Sequence, residues 1–476
     1  MLMKLTKCSQ SGFARQIDRY LNSVWYPICL GALCAFSGLG GSNRYTVCMG
    51  LIAVTVLLTV LFATDMKPLF APMLMSFCAL GKDSNVSYGD QVGDVMLSYN
   101  DTAFCFVICL GILAVAALLI RFWKDGTFWD IWEKGSVCGI SILIMDGVFL
   151  LNGVGSEHWR PIDLAYGALM AFGFTFFYFI CVSIARRGEK TTWYACVCMV
   201  CTALLGIFQV AVILHRQGLL STNMGIITGM DRNAIELGWG IATSIPAYLV
   251  LGIPAALYLA ANHRCGVLNY ALAFLIFGSI IVLGSRGPIL VGGVGLLVGV
   301  IACCFGENKK LCRKLALCIL CLILAGLLFL HFYVRSLPQT LETFLEAARF
   351  HILGKDERIG VWKTGLEHFT YAPVLGVGFD KGADVGIEIM LNFFANMYHN
   401  IGIQFLAAMG AVGGAAFLFH LWQVGCVLRK PTAKKVLLLT LPFMILTMSL
   451  VDNFFFYLNQ QIAYCMFLAV AERKKQ

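Results

Sequence analysis

Charge is scarce in this sequence. Of its 476 residues only 13% are charged, whereas 59% are hydrophobic, and the mean hydropathy is +0.80. A soluble protein of this length needs far more polar surface, so a soluble globular fold is excluded. Apolar runs of about 17–25 residues recur along nearly the whole chain, which is the length that a helix needs to cross a bilayer. The sequence therefore predicts an all-α, polytopic transmembrane helical bundle.

Disulfide and metal-binding patterns are also missing. The twenty cysteines lie in or beside apolar runs or in the predicted inner segments, and the long outer loop has none. No CxxC…CxxC pair at zinc-ligand spacing and no such Cys/His spacing occurs, which argues against a disulfide framework and a zinc site. We therefore expect no metal and no cofactor. No internal repeat, low-complexity segment or cleavable signal peptide is evident.

The net charge of +9 follows the predicted membrane topology and indicates no nucleic-acid partner. About fourteen spans, with a range of about 12–14, can be placed from the apolar runs. With the N-terminus inside, 23 of the 35 basic residues fall in inner segments, as the positive-inside rule requires. Both termini of this multi-pass protein of the cytoplasmic membrane are then predicted to be cytoplasmic. The predicted spans are roughly 24–41, 45–63, 66–81, 102–121, 136–152, 164–184, 192–214, 237–261, 267–283, 288–305, 314–333, 400–428, 436–451 and 453–471.

One long outer loop divides the predicted spans, although all of them form a single membrane domain. Residues 1–333 hold the first eleven spans, 334–398 form the loop, and 399–476 hold the last three. The loop contains two apolar stripes at helical spacing, one beginning at Leu341 and the other at Ile359. These stripes predict short helices, so we expect the loop to be a helical lid.

A polar stretch at the start of the twelfth span is the main candidate for chemistry. Residues 396–400, NMYHN, run directly into an apolar segment that carries Gln404 and small residues including Gly410 and Gly413. His399 should therefore lie at the mouth of a helix, where its neutral imidazole can act as a general base. The small residues should let another helix approach closely. The alternative is that His399 is an interfacial residue that only caps the helix.

Two arginines on the predicted outer face suit a substrate that carries phosphate. Arg286 lies between two spans in the tight connection 284–288, GSRGP, and Arg232 lies just outside the eighth span. A guanidinium stays charged and can contact two phosphate oxygens together, and the neighbouring glycines let a bulky anion approach. The two arginines could neutralise a diphosphate without a metal. Either could instead be an anchor whose side chain reaches the lipid headgroups.

Four further residues are candidates for substrate binding. Arg358 and Trp362 lie one turn apart on a predicted lid helix, where the arginine could contact phosphate and the tryptophan could stack on a sugar. The alternative is a solvated arginine beside a core tryptophan. Asp452, in the last outer turn, could orient His399, pair with an arginine or cap the last helix. Asn400 follows His399 in the same polar stretch.

Three motifs together resemble the O-antigen ligase and O-antigen polymerase superfamily. Residues 399–413 consist of His-Asn, nine residues, Gly, two residues and Gly. Residues 285–287, Ser-Arg-Gly, precede an apolar, glycine-rich span. Residues 358–378 contain RIGVW followed by PVLGVG, similar to a stretch in the large loop of that superfamily. The resemblance covers about residues 220–455, and the three motifs occur in the family's order on one predicted face.

The resemblance implies a metal-independent, inverting glycosyltransferase at the outer side of the membrane. Such an enzyme transfers a glycan from undecaprenyl diphosphate to an acceptor glycan or lipid-linked sugar, with membrane lipid as its surroundings. By the same resemblance, Arg232 and Arg286 would hold the diphosphate, and His399 would activate or position the acceptor hydroxyl. The chain departs from the family in one respect, because the ligases usually have twelve spans.

Other functions remain open on the sequence alone. An O-antigen or capsule polymerase, or a protein O-oligosaccharyltransferase, of the same superfamily would carry the same motifs. A lipid-linked oligosaccharide flippase belongs to a different class, in which fourteen spans are also common. Transporters often have two related halves and midplane binding residues, whereas the candidate residues here are predicted at the outer interface. A structural membrane protein without chemistry is the third alternative.

Overall fold

The computed structural model of the chain is a bundle of α-helices. It describes residues 12–40, 43–81, 101–125, 136–188, 190–216, 235–263, 265–333, 357–380 and 397–473. The helices are α1 (Gly12–Leu21), α2 (Trp25–Gly38), α3 (Asn43–Phe62), α4 (Phe70–Met75), α5 (Asp101–Lys124), α6 (Gly139–Leu150), α7 (Pro161–Arg187), α8 (Thr191–Arg216), α9 (Ser244–Leu249), α10 (Gly252–Asn262), α11 (Gly266–Leu283), α12 (Arg286–Cys303), α13 (Lys309–Tyr333), α14 (Glu357–Tyr371), α15 (Ile401–Val427), α16 (Ala433–Met448) and α17 (Leu458–Ala471). Short 3-10 turns lie at Lys67–Leu69, Ser76–Ala79 and Phe454–Phe456.

The membrane-spanning character of the chain is confirmed. Within the described residues, eight helical segments, one of them α9 together with α10, are long and apolar enough to cross a membrane, and a ninth would result if α1 and α2, bent by 70°, counted as one. Other apolar helices, such as α6 and α17, are shorter than a full span. The predicted number of about fourteen spans therefore stays a prediction.

The two ends of the bundle carry different features. At one end, which we call the lid end, α14 packs on the start of α15. At the opposite end, which we call the basic end, α15 finishes and α16 begins, and Arg429 and Lys430 lie in the turn between them. The positive-inside rule places the basic end in the cytoplasm, an orientation that remains a prediction.

The eighth predicted span, 237–261, is less regular than its hydropathy suggested. It starts as a two-stranded antiparallel hairpin, in which Glu236–Leu237 pairs with Gly240–Ile241. The chain then continues as the short helices α9 and α10, each with a proline in its first turn, Pro246 and Pro254. A proline has no N–H to donate, and in the first turn of a helix this removes no helical hydrogen bond. The apolar run therefore contains two helix beginnings, which hydropathy alone does not distinguish.

Helix α15 is broken in the middle of its apolar run. The sequence predicted one continuous span at 400–428, but Gly410 has φ +66 and ψ −161, outside the helical region. A break of this kind interrupts the hydrogen-bond ladder and exposes backbone N–H and C=O groups. Inside a bilayer such groups need partners from the protein, because no water is present to satisfy them.

The segment 373–378 of the lid supplies those partners. It runs alongside the break and forms four backbone hydrogen bonds of 2.8–3.2 Å with α15. The pairs are Ala411 N to Pro373 O, Val412 N to Val374 O, Val377 N to Ala407 O, and Gly378 N to Ala408 O. The expectation that the small residues admit another helix was therefore wrong at Gly410, where extended backbone approaches instead. A Cβ at Gly410 would lie 2.2 Å from the oxygen of Val374.

The other side of the same segment is bonded to the connection between α6 and α7. Gly153 N donates to Leu375 O at 2.8 Å. The side chain of Asn152 accepts from Phe379 N at 3.0 Å. Asp163, in the first turn of α7, accepts from the backbone N–H of Asp380 at 2.6 Å. Residues 373–380 are thus held from two sides, which fixes the end of the lid to the bundle.

We predict that Gly410→Ala destabilises the protein while Gly425→Ala does not. A side chain at Gly410 meets the lid backbone and has to adopt a left-handed φ, which alone costs about 1–2 kcal/mol. Gly425 lies on the same helix, and a Cβ there meets nothing within 4 Å. The measurement is the thermal unfolding midpoint of the purified protein in detergent. Equal midpoints for the two variants would contradict the role given to the break.

Candidate active site

His399 and Asp452 form a hydrogen-bonded pair at the lid end. Nδ1 of His399 lies 3.0 Å from Oδ1 of Asp452, and their side chains are only 13% and 12% exposed. Because a carboxylate accepts, this bond places a proton on Nδ1, so the lone pair of the neutral imidazole is on Nε2. Nε2 has no hydrogen-bond partner within the described chain. It can therefore accept a proton from a substrate hydroxyl.

The backbone at His399 is held in a sparsely populated conformation. Its φ is +50, in the left-handed region that a residue other than glycine rarely adopts. The next residue, Asn400, caps α15 by accepting from Ile403 N at 3.1 Å and also donates to Leu450 O at 2.9 Å. The helix cap is thus Asn400 and not His399, so the capping alternative for His399 is wrong. Strained residues of this kind persist where surrounding bonds fix them, often at functional sites.

A buried amide beneath His399 joins the two chain segments that carry the pair. Oε1 of Gln404 accepts from Tyr398 N and from Asn453 Nδ2, both at 3.0 Å. Asn453 also donates its backbone N–H to Asp452 at 2.8 Å. The sequence alone indicated no role for Gln404 and did not single out Asn453. Both amides lie at the edges of apolar runs, where a polar side chain needs a partner. This placement could have indicated that Gln404 and Asn453 bond to each other.

The lid helix α14 packs directly on this loop. A Cβ at Gly365 would lie 2.4 Å from Ile403 and 2.8 Å from Tyr398, so glycine is needed for the close approach. The hydroxyl of Tyr398 lies 2.6 Å from Nδ1 of His368 on α14. Burial raises the pKa of Tyr398, which keeps its hydroxyl protonated and able to donate. His368 was missed, because a single histidine in a helical stripe gives no signal.

Arg286 lies beside the turn that holds Asp452. It is the first residue of α12 and is exposed. A Cβ on the adjacent Gly287 would lie 3.6 Å from Cγ2 of Val451, which places the two turns in van der Waals contact. Among the described residues, no hydrogen bond or ion pair joins Arg286 to His399. The positive end of the α12 dipole adds to the attraction of its guanidinium for an anion.

Packing against α16 sets the depth of Arg286. A Cβ at Gly295 would lie 2.5 Å from Cε of Met444. A Cβ at Gly299 would lie 2.4 Å from a methyl group of Leu257 on α10. Glycine at these positions therefore lets α12 lie close to its neighbours. Because α16 leads directly into the turn with Asp452, this packing brings the start of α12 to the lid end.

The remaining predicted site residues lie on the lid or outside the described residues. Arg358 and Trp362 are both half-buried on α14, and Nε1 of Trp362 is buried with no hydrogen-bond partner in the described part of the chain. Arg232 lies outside the described residues, so its predicted approach to Arg286 stays a prediction. No group of three or more His, Cys, Asp or Glu that could hold a metal ion occurs among the residues that the structure describes.

Together these features define a polytopic membrane protein with a His–Asp pair at the lid end, next to an arginine turn. Residues 271–418, about a third of the chain, match the family model described as O-antigen ligase. This match supports the O-antigen ligase and polymerase superfamily, the resemblance that the three motifs predicted, and that resemblance is confirmed. No curated protein matches the chain. The matched region includes Arg286, α14, His399 and Gly410.

We predict that Gln404→Ala destabilises the loop around His399. The substitution leaves the amide of Tyr398 and the side chain of Asn453 without an acceptor, at about 1–3 kcal/mol for each buried group. Hydrogen exchange followed by mass spectrometry should show faster exchange at residues 397–400. Gln423→Ala is the control, since Gln423 lies on the same helix and makes no hydrogen bond within the described chain. Unchanged exchange in Gln404→Ala would contradict the bridging role.

Proposed function

We propose that the chain is an O-antigen ligase-type membrane glycosyltransferase. It would move a glycan from undecaprenyl diphosphate to an acceptor hydroxyl at the outer face of the cytoplasmic membrane. The family match supports a glycosyltransferase-like enzyme that acts on lipid-linked glycans. The lid end of the bundle would then be the outer face, in agreement with the charge on the basic end.

The observation that carries this proposal is the bond from Nδ1 of His399 to Asp452. An imidazole held in this way has a fixed tautomer and orientation, and the carboxylate stabilises the imidazolium that forms when Nε2 takes up a proton. This is the arrangement that a general base needs. Its position at the start of α15, near the lid helix, suits a reaction at the membrane surface.

The proposed reaction is a single displacement at the anomeric carbon of the donor. The acceptor oxygen forms a bond to that carbon while its proton passes to Nε2 of His399. The bond between the carbon and the diphosphate oxygen breaks, and its electron pair leaves with undecaprenyl diphosphate. Attack from the face opposite the leaving group inverts the configuration, and no metal takes part in the proposed scheme.

Arg286 would act on the leaving group. Negative charge develops on the bridging oxygen as the sugar departs, and a guanidinium beside that oxygen stabilises the charge where it appears. The N-terminus of α12 would add its dipole to this effect. Arg232 is proposed as a second diphosphate contact. Arg358, Trp362 and Asn400 are proposed to bind the substrate, with Trp362 stacking on a sugar.

The identity of the acceptor distinguishes a ligase from a polymerase of the same superfamily. A ligase transfers the glycan to a different acceptor, such as a lipid-anchored core sugar, whereas a polymerase transfers it to another copy of the lipid-linked glycan. The proposed residues perform the same proton transfer in both. An acceptor panel with the purified protein distinguishes them by the product that forms.

We predict that Arg286→Ala and His399→Ala each abolish transfer while the protein still inserts into the membrane. Loss of one charge-stabilising donor costs about 10²–10³ in rate, and loss of a general base about 10²–10⁴. The assay uses purified protein, a synthetic lipid-linked donor and an acceptor, and it measures release of undecaprenyl diphosphate. A flippase would release none.

The matched control is Arg44→Ala. Arg44 lies at the start of α3, where its guanidinium is 4.5 Å from the ring centre of Phe36, outside the candidate site. This variant should retain full activity, and all three variants should elute as monodisperse protein. Full transfer by His399→Ala or Arg286→Ala would remove that residue from the mechanism.

We predict that Asp452→Asn slows transfer without weakening donor binding. Asparagine keeps the size of the side chain but loses the charge that stabilises the imidazolium, so the rate should fall by at least about tenfold. The apparent KM for the lipid-linked donor should change little, because Asp452 is proposed to act through His399. A fall in donor affinity with an unchanged turnover rate would show instead that Asp452 contacts the donor.

A further inference from the structure

A polar cleft of about 910 Å³ lies at the basic end, on the opposite side of the bundle from His399. Helix α7 establishes this position. Its first turn bonds Asp380 in the lid, and its last residue, Arg187, lines the cleft. The 27 residues of α7 separate its two ends by about 40 Å at about 1.5 Å per residue. The cleft is therefore distinct from the candidate active site.

Helix α1 forms one wall of the cleft and has the features of a helix at a membrane surface. It is bent by 70° from α2, so it does not continue the direction of the span. Arg15 and Arg19, one turn apart, line the cleft, whereas Phe13 and Tyr20 are exposed and Leu21 is buried in the core. An amphipathic helix with basic and aromatic residues of this kind is typical of the membrane interface.

The lining contains five basic and three acidic side chains, and all three acids are engaged in local contacts. Asp18 accepts from the backbone and hydroxyl of Thr64, at 2.8 and 3.1 Å. Asp65 accepts from the backbone and the ammonium group of Lys67, both at 3.0 Å. Asp125 lies 3.5 Å from Arg121. These contacts hold the loop after α3 in place and neutralise two of the five cations.

Of the three other basic side chains, Arg187 belongs to the end of α7, and Arg15 and Arg19 belong to α1. Arg15 and Arg19 are exposed, and within the described chain neither forms an ion pair or a hydrogen bond through its guanidinium. Arg121 also donates to Ala63 O at 2.7 Å, which fixes the back of the cleft. The cleft is thus a preformed polar space with two free guanidinium groups at its rim. Planar guanidinium groups are suited to phosphate oxygens.

We propose that this cleft binds a phosphate-bearing anion at the membrane surface, held by Arg15 and Arg19. Two sources share that chemistry, an anionic phospholipid headgroup and a soluble phosphate. The position of α1 at the interface makes the headgroup directly accessible, because basic clefts beside spans bind anionic headgroups. The site is separate from glycan transfer and does not depend on that assignment.

The test compares the full-length protein with the double variant Arg15→Gln/Arg19→Gln in lipid nanodiscs. In discs that contain phosphatidylglycerol, native mass spectrometry counts the lipids retained by the released protein. The double variant should retain about tenfold less of this lipid. In discs of phosphatidylcholine alone, inorganic phosphate or pyrophosphate is added and the thermal unfolding midpoint is measured.

Two further variants serve as controls. Arg429→Gln/Lys430→Gln removes the same charge from the same end but outside the cleft, and it should retain phosphatidylglycerol like the wild type. Arg15→Lys/Arg19→Lys keeps the charge, and it should recover most of the retention even if the glutamine variant folds poorly.

Each outcome decides between the sources or against the site. Loss of phosphatidylglycerol in Arg15→Gln/Arg19→Gln, but not in Arg429→Gln/Lys430→Gln, supports binding of a lipid headgroup. If phosphate raises the unfolding midpoint of the wild type but not that of Arg15→Gln/Arg19→Gln, the site binds a soluble anion. Equal lipid retention in the wild type and both glutamine variants, with no stabilisation by phosphate, would overturn the proposal.

Discussion

The break in α15 leaves backbone groups without a partner inside the helix, and the structure of the lid end depends on satisfying them. Apolar surroundings leave N–H and C=O groups no partner except the protein itself. The segment 373–378 meets that need, and Gly410 is required because the incoming backbone occupies the space of a side chain. Lid and membrane helix are therefore parts of one hydrogen-bonded unit. The break is a site of attachment and not a local defect of the helix.

The geometry of the candidate site follows from this unit. The first half of α15 is held by the lid segment on one side, and its start is bonded to the turn after α16 by Ile401 N to Ser449 O at 2.7 Å. Gln404 then bridges Tyr398 and Asn453, so the residues on either side of His399 and Asp452 are fixed together. The hydrogen bonds of the neighbouring residues offset the conformational cost of the left-handed φ of His399. The imidazole is presented with one nitrogen engaged and the other open.

Hydropathy and short motifs predicted the class of the fold and the most informative residues, but not how the parts meet. The apolar runs gave the helices, and the apolar stripe at Ile359 gave the lid helix. His399 was chosen from the polar stretch before the twelfth span, and Asp452 from its place in the last outer turn. The break at Gly410 was missed, because a glycine in an apolar run is equally compatible with close helix packing. The partners of Asp452 could not be chosen from sequence, since an acidic residue in a turn can cap a helix, pair with arginine or orient a histidine. Pro246 and Pro254 were compatible with a continuous span, and only their places in first turns separate α9 from α10.

The double anchoring of residues 373–380 has a mechanical consequence. The C-terminal root of α14, residues 373–380, is bonded both to α15 and to the connection before α7. This end of the lid is therefore not free to move over a substrate. Displacement of α14 is restricted at this root by bonds on two sides. Through the Tyr398–His368 contact, a movement of α14 would be transmitted directly to the residue that precedes His399.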